Sequence, residues 1–178
     1  MPELRLASRE TLKGTLKARE GYKYDQADRL IDQAEYLFNL RICDEEVFRN
    51  LIPCTWVIRD GEAPRTLDAI AARVQREFGG LDRLIEVHPC HEREWYERLR
   101  TLYQNFLWER MGPVFVTPVK GRRRNGVSEG EELGGTPTAS FMIVSGLHCS
   151  LAATLRMNDG EEAFRPVEAV LVLPRLDY

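Results

Sequence analysis

The chain has few histidines and cysteines and lacks several short motifs that mark common enzyme classes. Histidine occurs 3 times and cysteine 4 times in 178 residues. No phosphate-binding GxxxxGK[ST], dinucleotide-binding GxGxxG or zinc-protease HExxH is present. These motifs place backbone amides around a phosphate, or two imidazoles on one face of a helix. Their absence removes the usual signals for nucleotide, dinucleotide and metalloprotease chemistry, and it favours a non-enzymatic role.

The cysteines also lack the spacing of a metal or disulfide framework. Cys43, Cys54, Cys90 and Cys149 lie far apart, and no CxxC occurs. This spacing argues against a zinc ribbon and against a disulfide scaffold. The first twelve residues contain no apolar run of the kind that a secretory signal requires, so we expect a cytoplasmic location and reduced thiols.

Long hydrophobic runs and a large net charge are missing as well. Residues 133–155 contain no Asp, Glu, Lys or Arg, but glycine, proline and serine interrupt them, and only 141–144 is strongly apolar. A membrane-spanning helix needs about 20 apolar residues, so no membrane association is expected. The net charge of −3, from 25 basic and 28 acidic residues, provides no overall field toward nucleic acid. Any contact with a nucleic-acid backbone must therefore be local.

The composition that remains is that of a globular protein with helical periodicity in its first part. A chain of 178 residues with 43% hydrophobic residues can bury one core, so we expect a single domain. The spacing of the apolar residues predicts helices over 8–20, 25–40, 64–78 and 89–110, with Asp44 at the start of a further short helix. We expect the 89–110 helix to be central, because its stripe is the richest in leucine and aromatic residues.

Strand signals dominate the last third of the chain. Alternating and β-branched apolar residues, separated by turn signals, predict strands over 113–119, 138–144, 147–157 and 163–173. Shorter strands are predicted over 54–58 and 84–87. The expected fold class is α+β, with a mixed or antiparallel sheet built mainly from residues 113–173 and packed against amphipathic helices from the N-terminal half. Along the chain, the predicted order is a helical part (1–52), a mixed part (53–112) and a β-meander (113–178).

One cluster has residue types suited to catalysis or metal binding. His88 and His91 are three residues apart at the predicted start of the 89–110 helix, so both imidazoles could reach one metal ion. Cys90 would lie near the positive end of the helix dipole, which favours the thiolate and makes it a candidate nucleophile. With His148 from a later segment, the histidines would form a three-ligand zinc site. The alternative is a half-buried histidine and a small buried cysteine near a helix start, with no cofactor.

Two basic groups are candidate binding residues. A charged segment over 120–137 begins with a triple arginine and continues into glutamates, and the arginines could bind phosphate or an acidic partner. A basic row repeats every fourth residue along the first predicted helix. The residues of the two groups are Arg122, Arg123 and Arg124, and Arg9, Lys13 and Lys17. A solvated surface would explain both groups equally simply.

The sequence therefore predicts a non-enzymatic interaction module, an adaptor or complex subunit, that presents the basic first helix and the 120–137 loop to a protein partner. One alternative is a small metal- or thiol-dependent hydrolase that uses His88, Cys90, His91 and His148. A second alternative is a nucleic-acid-backbone binder that uses the arginines of 122–124.

Overall fold

The computed structural model describes residues 5–18, 26–54, 66–87, 93–119, 123–124, 127–128 and 141–175. Within these ranges the helices are α1 (Arg9–Lys17), α2 (Gln26–Gln33), α3 (Glu45–Arg49), α4 (Leu67–Phe78), α5 (Leu81–Val87), α6 (Arg93–Gln104) and α7 (Leu147–Asn158). The strands are β1 (Arg5–Leu6), β2 (Ala34–Ile42), β3 (Ile52–Pro53), β4 (Val114–Pro118), β5 (Arg123–Arg124), β6 (Val127–Ser128), β7 (Phe141–Ser145) and β8 (Val167–Pro174).

Three helices begin or end where the sequence signals them. The Ser8 hydroxyl accepts from the backbone N–H of Thr11 at 3.4 Å and caps α1. An Asp44 carboxylate oxygen accepts from the N–H of Glu46 at 2.8 Å and caps α3. Helix α4 ends at Gly79, whose left-handed φ of 68° suits glycine. The predicted helices α1, α3 and α4 are confirmed, but α1 ends at Lys17 and not at residue 20, and α4 begins at Leu67 and not at residue 64.

Six strands form one mixed, open sheet in the order β1-β2-β8-β4-β7-β3. The β1–β2, β2–β8 and β4–β7 pairs are antiparallel, whereas β4–β8 and β3–β7 are parallel. Strands β5 and β6 pair separately as a short antiparallel ribbon. The predicted fold class, a mixed sheet packed against helices, is confirmed.

The strands of this sheet bury side chains on both faces. One face packs on the five helices from α3 through α7 and forms the larger core cluster with them. Its strand residues are Ile42, Val114, Val116, Ile143, Val167 and Ala169. The other face packs on α1 and α2, and its strand residues are Ala34, Leu37, Phe115, Val144, Val170 and Val172. The protein thus has three layers: two short helices, the sheet, and a thicker helical layer.

The second half of the helix predicted over 25–40 is a strand. Helix α2 ends at Gln33, and β2 then pairs with β8 along its length. Apolar residues in this stretch satisfy both a helical and an alternating pattern. In β2, Leu40 and Ile42 contact the larger cluster, while Leu37 belongs to the smaller one. Pairing with β8 decides between the two patterns, and this information lies about 130 residues away in the sequence.

The strand predicted over 147–157 is also wrong, because these residues form helix α7. The stretch has no charged residue before Arg156, so it shows no amphipathic period. This helix is apolar nearly all round because it lies beneath both α4 and α6 and against the sheet core. Its buried hydroxyls are satisfied within the helix, since Ser150 and Thr154 donate to the carbonyls of Gly146 and Ser150 at 2.9 Å each.

Gly146 makes the change from β7 to α7. Its φ is 94°, in the left-handed region, and a Cβ there would lie 3.5 Å from Val114. The turn joins a strand to a helix rather than to a second strand, so the predicted C-terminal meander is wrong. With α7 in place, β8 reaches its position beside β4 through a helical connection.

Two smaller expectations also differ from the structure. The strand predicted over 84–87 is part of α5, and the helix predicted over 89–110 is α6 followed by a 3-10 turn at Trp108–Arg110. The more completely buried helix is α7 and not α6. Residues 55–65 and 88–92 lie outside the described ranges, so most of the strand predicted over 54–58 is not tested. None of the helices in the described ranges has the length and apolar character needed to cross a bilayer.

Candidate functional site

The predicted histidine and cysteine site is described only at His148. His88, Cys90 and His91 lie outside the described residues, so their predicted roles stay predictions. His148 lies in the first turn of α7, where its ring packs on Trp95 of α6 with centroids 4.2 Å apart and planes 37° apart. In the described ranges, no group of three or more His, Cys, Asp or Glu side chains could hold a metal ion.

The surroundings of His148 keep its imidazole neutral. Burial, and then the nearby Arg98 guanidinium, lower the pKa of His148 to about 4, while a hydrogen bond with the Trp95 backbone acts in the opposite direction. Its Nε2 is buried and finds no hydrogen-bond partner within the described part of the chain. The observed role of His148 is to pack the start of α7 against α6.

The basic row on α1 mainly serves internal packing. Arg9 donates to the carbonyl of Ile31 at 3.2 Å and to the carbonyl of Ala34, which lie at and just after the end of α2. Lys13 pairs with Asp32 at 2.5 Å. A cation at the C-terminal end of a helix is favourable, because the exposed carbonyls there are electron-rich. Two of the three predicted binding residues therefore hold α1 against α2, although Arg9, like Lys17, is exposed.

The structure describes little of the triple arginine that was predicted as a binding group. Arg122 lies outside the described residues, and Arg123 and Arg124 are described only as the backbone of β5, which pairs with β6. The sequence around β6 matches GxSxG over residues 126–130, centred on Ser128, and only Val127 and Ser128 of the match are described. In hydrolases this motif requires a strand followed by a sharp turn into a helix. Ser128 lies in β6 of an antiparallel ribbon, and residues 129–140 are outside the described part.

A patch of exposed apolar side chains lies on one face of the sheet at its β1 edge. Leu6 is 72% exposed and Tyr36 is 50% exposed. The Tyr36 ring stacks on Phe38 with centroids 6.2 Å apart and planes 26° apart. The strand register places Leu6 opposite Phe38, and Leu173 opposite Tyr36, so alternation puts all four side chains on the same face. We call these four residues the edge patch.

The edge patch continues the face that carries the larger core. Further along β2, Leu40 and Ile42 lie on this face and contact the larger cluster. At the β1 end, by contrast, Leu6 and Tyr36 are half exposed or more, and Phe38 and Leu173 are partly buried. Strand β1 pairs with only two residues, Phe38 and Asn39, of the nine in β2. The apolar face of the sheet thus extends past the helices that cover its centre.

A second feature is a cleft of about 550 Å³ in the helical layer. It lies between α4 and α5 on one side and α6 and the end of α7 on the other, and the buried Val74, Leu81 and Leu155 lie behind its wall. The charged residues of the lining are Asp82, Arg83, Glu86, Arg100 and Asp159. Arg100 pairs with Asp82 at 3.2 Å, and Arg83 pairs with Glu86 at 3.0 Å.

Asp159 joins three helices at one wall of the cleft. Its two carboxylate oxygens accept hydrogen bonds from the Gln75 amide of α4 and from the Tyr103 hydroxyl of α6. Burial, and then the hydrogen bond and negative charge of Asp159, raise the pKa of Tyr103 to about 12. The phenol is protonated at neutral pH, as an ordinary tyrosine is, and the raised pKa keeps it a donor under alkaline conditions as well. The Arg156 guanidinium lies 5.4 Å from the Tyr103 ring centroid and pairs with Glu161 at 2.7 Å.

Neither the edge patch nor the cleft follows from the sequence pattern. Tyr36 and Phe38 lie in a segment that also fits a helix, and Asp159 occupies a turn signal, Asn158-Asp159-Gly160, that is usually structural. Comparison of the chain with protein-family models, with curated proteins and with solved structures finds no match. Function must therefore be inferred from the geometry of the described residues.

Proposed function

We propose that this chain is a non-enzymatic interaction module, an adaptor or complex subunit, that binds a protein partner through the edge patch. The observation that carries the proposal is the exposure of Leu6 and Tyr36 on the face that is otherwise packed against helices. Apolar side chains that are exposed together, on a face that helices cover elsewhere, offer a small contact surface to another protein. Tyrosine is also enriched among the residues that dominate binding energy.

The size of the edge patch favours a transient partner. Two side chains that are half exposed or more offer on the order of 200 Å², whereas a stable interface buries about 800 Å² on each partner. A permanent dimer would need much more apolar surface than this. We therefore expect a different protein that places a few apolar side chains on the edge patch, with polar contacts around them.

The contacts of α1 favour the edge patch, and not the predicted basic row on α1, as the surface that binds the partner. Arg9 and Lys13 already hold α1 against α2, so at most their remaining donors can engage a partner. The 120–137 loop stays a candidate contribution to partner binding. The edge patch needs no rearrangement to be reached, because Leu6 and Tyr36 are already exposed.

The proposal is tested by site-specific photocrosslinking along β2. p-Benzoylphenylalanine at position 36 lies in the edge patch. At position 39 it lies on the same strand but points to the opposite face of the sheet, at a place where Asn39 is exposed. We expect a discrete heterologous adduct from position 36 that position 39 does not give and that excess unlabelled protein suppresses. The adduct partner is then identified by mass spectrometry and purified for direct binding.

The deciding measurement is the affinity of the purified partner for Leu6→Ser. Leu6 is largely exposed, so this change should alter the free energy of unfolding by no more than about 0.5 kcal/mol. We expect binding to weaken about tenfold, because one apolar contact is worth about 1.4 kcal/mol. Equal binding of the parent and Leu6→Ser, identical adducts from positions 36 and 39, or an adduct with a second copy only would each refute the proposal.

A further inference from the structure

The cleft in the helical layer carries one charge that the lining residues do not neutralise. Three carboxylates and two guanidinium groups line it. The two guanidinium groups pair with Asp82 and Glu86. Asp159 is the remaining carboxylate, and no cation of the described residues lies within ion-pair distance of it, so the net formal charge of the lining is −1, located at Asp159.

Asp159 is also at an electrostatically unfavourable position. It caps the C-terminal end of α7, where exposed carbonyls make the helix end negative. The basic residue of the last turn, Arg156, pairs instead with Glu161 at 2.7 Å and with Glu162 at 3.8 Å. A carboxylate in such a place lowers stability unless a cation compensates it. A position that breaks a local rule in this way is a candidate for a functional role.

The carboxylate of Asp159 is oriented rather than neutralised. Gln75 and Tyr103 each donate one hydrogen bond to it, one to each oxygen, and both donors are uncharged. An ionised carboxylate has about four acceptor positions, so two remain for a ligand. Since Tyr103 stays protonated at neutral pH, this arrangement persists under physiological conditions. The negative group is therefore held in place before any ligand arrives.

The volume of the cleft favours an organic ligand over a bare ion. Its volume of about 550 Å³ falls within the range of small-molecule sites and greatly exceeds that of a bare ion. Val74, Leu81 and Leu155 lie behind the wall of the cleft and are buried, so an alkyl chain meets little apolar surface and the charge must supply much of the binding. We propose that the cleft binds a small organic cation, an alkylammonium or alkylguanidinium group, with Asp159 as its counter-ion. This site shares no residue with the edge patch and goes beyond the interaction function.

The first test is a matched ligand series on the wild-type protein. Butylammonium and butylguanidinium carry the charge, 1-butanol has the same chain without it, and butyrate reverses it. Titration followed by ¹⁵N–¹H NMR should show saturable shifts around Gly79, Gly80 and Asp159 for the two cations, with dissociation constants of roughly tens of millimolar. One exposed charge pair contributes only about 1 kcal/mol, and contact with the cleft wall must supply the rest. Comparable binding of 1-butanol or butyrate, or no saturable binding of either cation, would overturn the proposal.

The second test compares two variants that each remove one negative charge. Asp159→Asn keeps the shape of the side chain, and Glu168→Gln removes a carboxylate from β8 outside the cleft. We expect Asp159→Asn to weaken butylammonium binding about tenfold and Glu168→Gln to change it less than twofold. Tyr103→Phe, which keeps the charge and loses one orienting donor, should cause a smaller loss. Equal effects of Asp159→Asn and Glu168→Gln would contradict the assignment.

The source of the cation is distinguished with two further probes. 1,4-Diaminobutane represents a free amine, and N-acetyl-lysine methylamide represents a lysine side chain of a protein. Preference for the diamine assigns the cleft to a metabolite, and preference for the capped lysine assigns it to a peptide. Both outcomes support recognition of an organic cation. If Asp159→Asn fails to fold, the wild-type ligand series still decides the proposal.

Discussion

The neutral imidazole of His148 makes the stability of the protein dependent on pH in a defined window. The pKa of His148 is about 4 in the folded protein, against the ordinary value of 6.5. Between these values the unfolded chain binds a proton that the folded protein excludes. The free energy of unfolding therefore falls as the pH decreases from about 6.5 to about 4, and the contribution of His148 is fully present only above this window.

The size of this effect follows from the difference between the two pKa values. Each pH unit of difference corresponds to about 1.4 kcal/mol, so the full contribution is about 3 kcal/mol. Carboxylates also titrate near the lower limit, and their contribution must be removed. His148→Phe retains an aromatic ring beside Trp95 and has no titratable group. The difference in unfolding free energy between the parent and His148→Phe isolates the histidine.

The assay is urea denaturation from pH 7.5 to 4, with ¹³C NMR titration of the imidazole in parallel. We expect the stability difference between parent and His148→Phe to change by about 3 kcal/mol over this range, and the NMR midpoint to lie near pH 4. Arg98→Met should raise the midpoint but leave it below 6.5, because burial is the larger cause. A midpoint near 6.5 in the parent, or parallel pH profiles of the two proteins, would refute the packing of His148 against α6.

Two further predictions concern the packing of the helices. Leu99→Ala should lower the unfolding free energy by on the order of 2–5 kcal/mol, because Leu99 is fully buried, whereas the partly exposed Leu102→Ala should cost clearly less; equal denaturant midpoints for both variants would contradict the orientation of α6. Arg9→Met should lower the unfolding free energy by about 1–3 kcal/mol, because it leaves two carbonyls near the end of α2 without a donor. The control Lys17→Met should change it by no more than about 0.5 kcal/mol. Equal thermal unfolding of Arg9→Met and the parent would contradict the role of Arg9 in holding α1 against α2.

The sequence by itself determined the fold class and the elements with local signals. Helices α1, α3 and α4 carry their own capping residues, and an amphipathic stripe identifies α6 without knowledge of its partners. Strands β4, β7 and β8 combine β-branched residues with turn signals. In each of these cases the physical cause lies within about a dozen consecutive residues, so a local pattern is sufficient.

Only the tertiary structure determines the secondary structure of segments whose local sequence fits both a helix and a strand. Helix α7 is buried on nearly all sides, so no polar face reveals a helical period, and its sequence is equally compatible with a buried strand. Residues 34–42 fit both periods until pairing with β8 selects the strand. The basic row on α1 looked like a binding surface, because nothing in the sequence shows that the end of α2 lies within reach of Arg9. The edge patch and the cleft likewise depend on which neighbours cover a side chain, and that is set by contacts between residues distant in sequence.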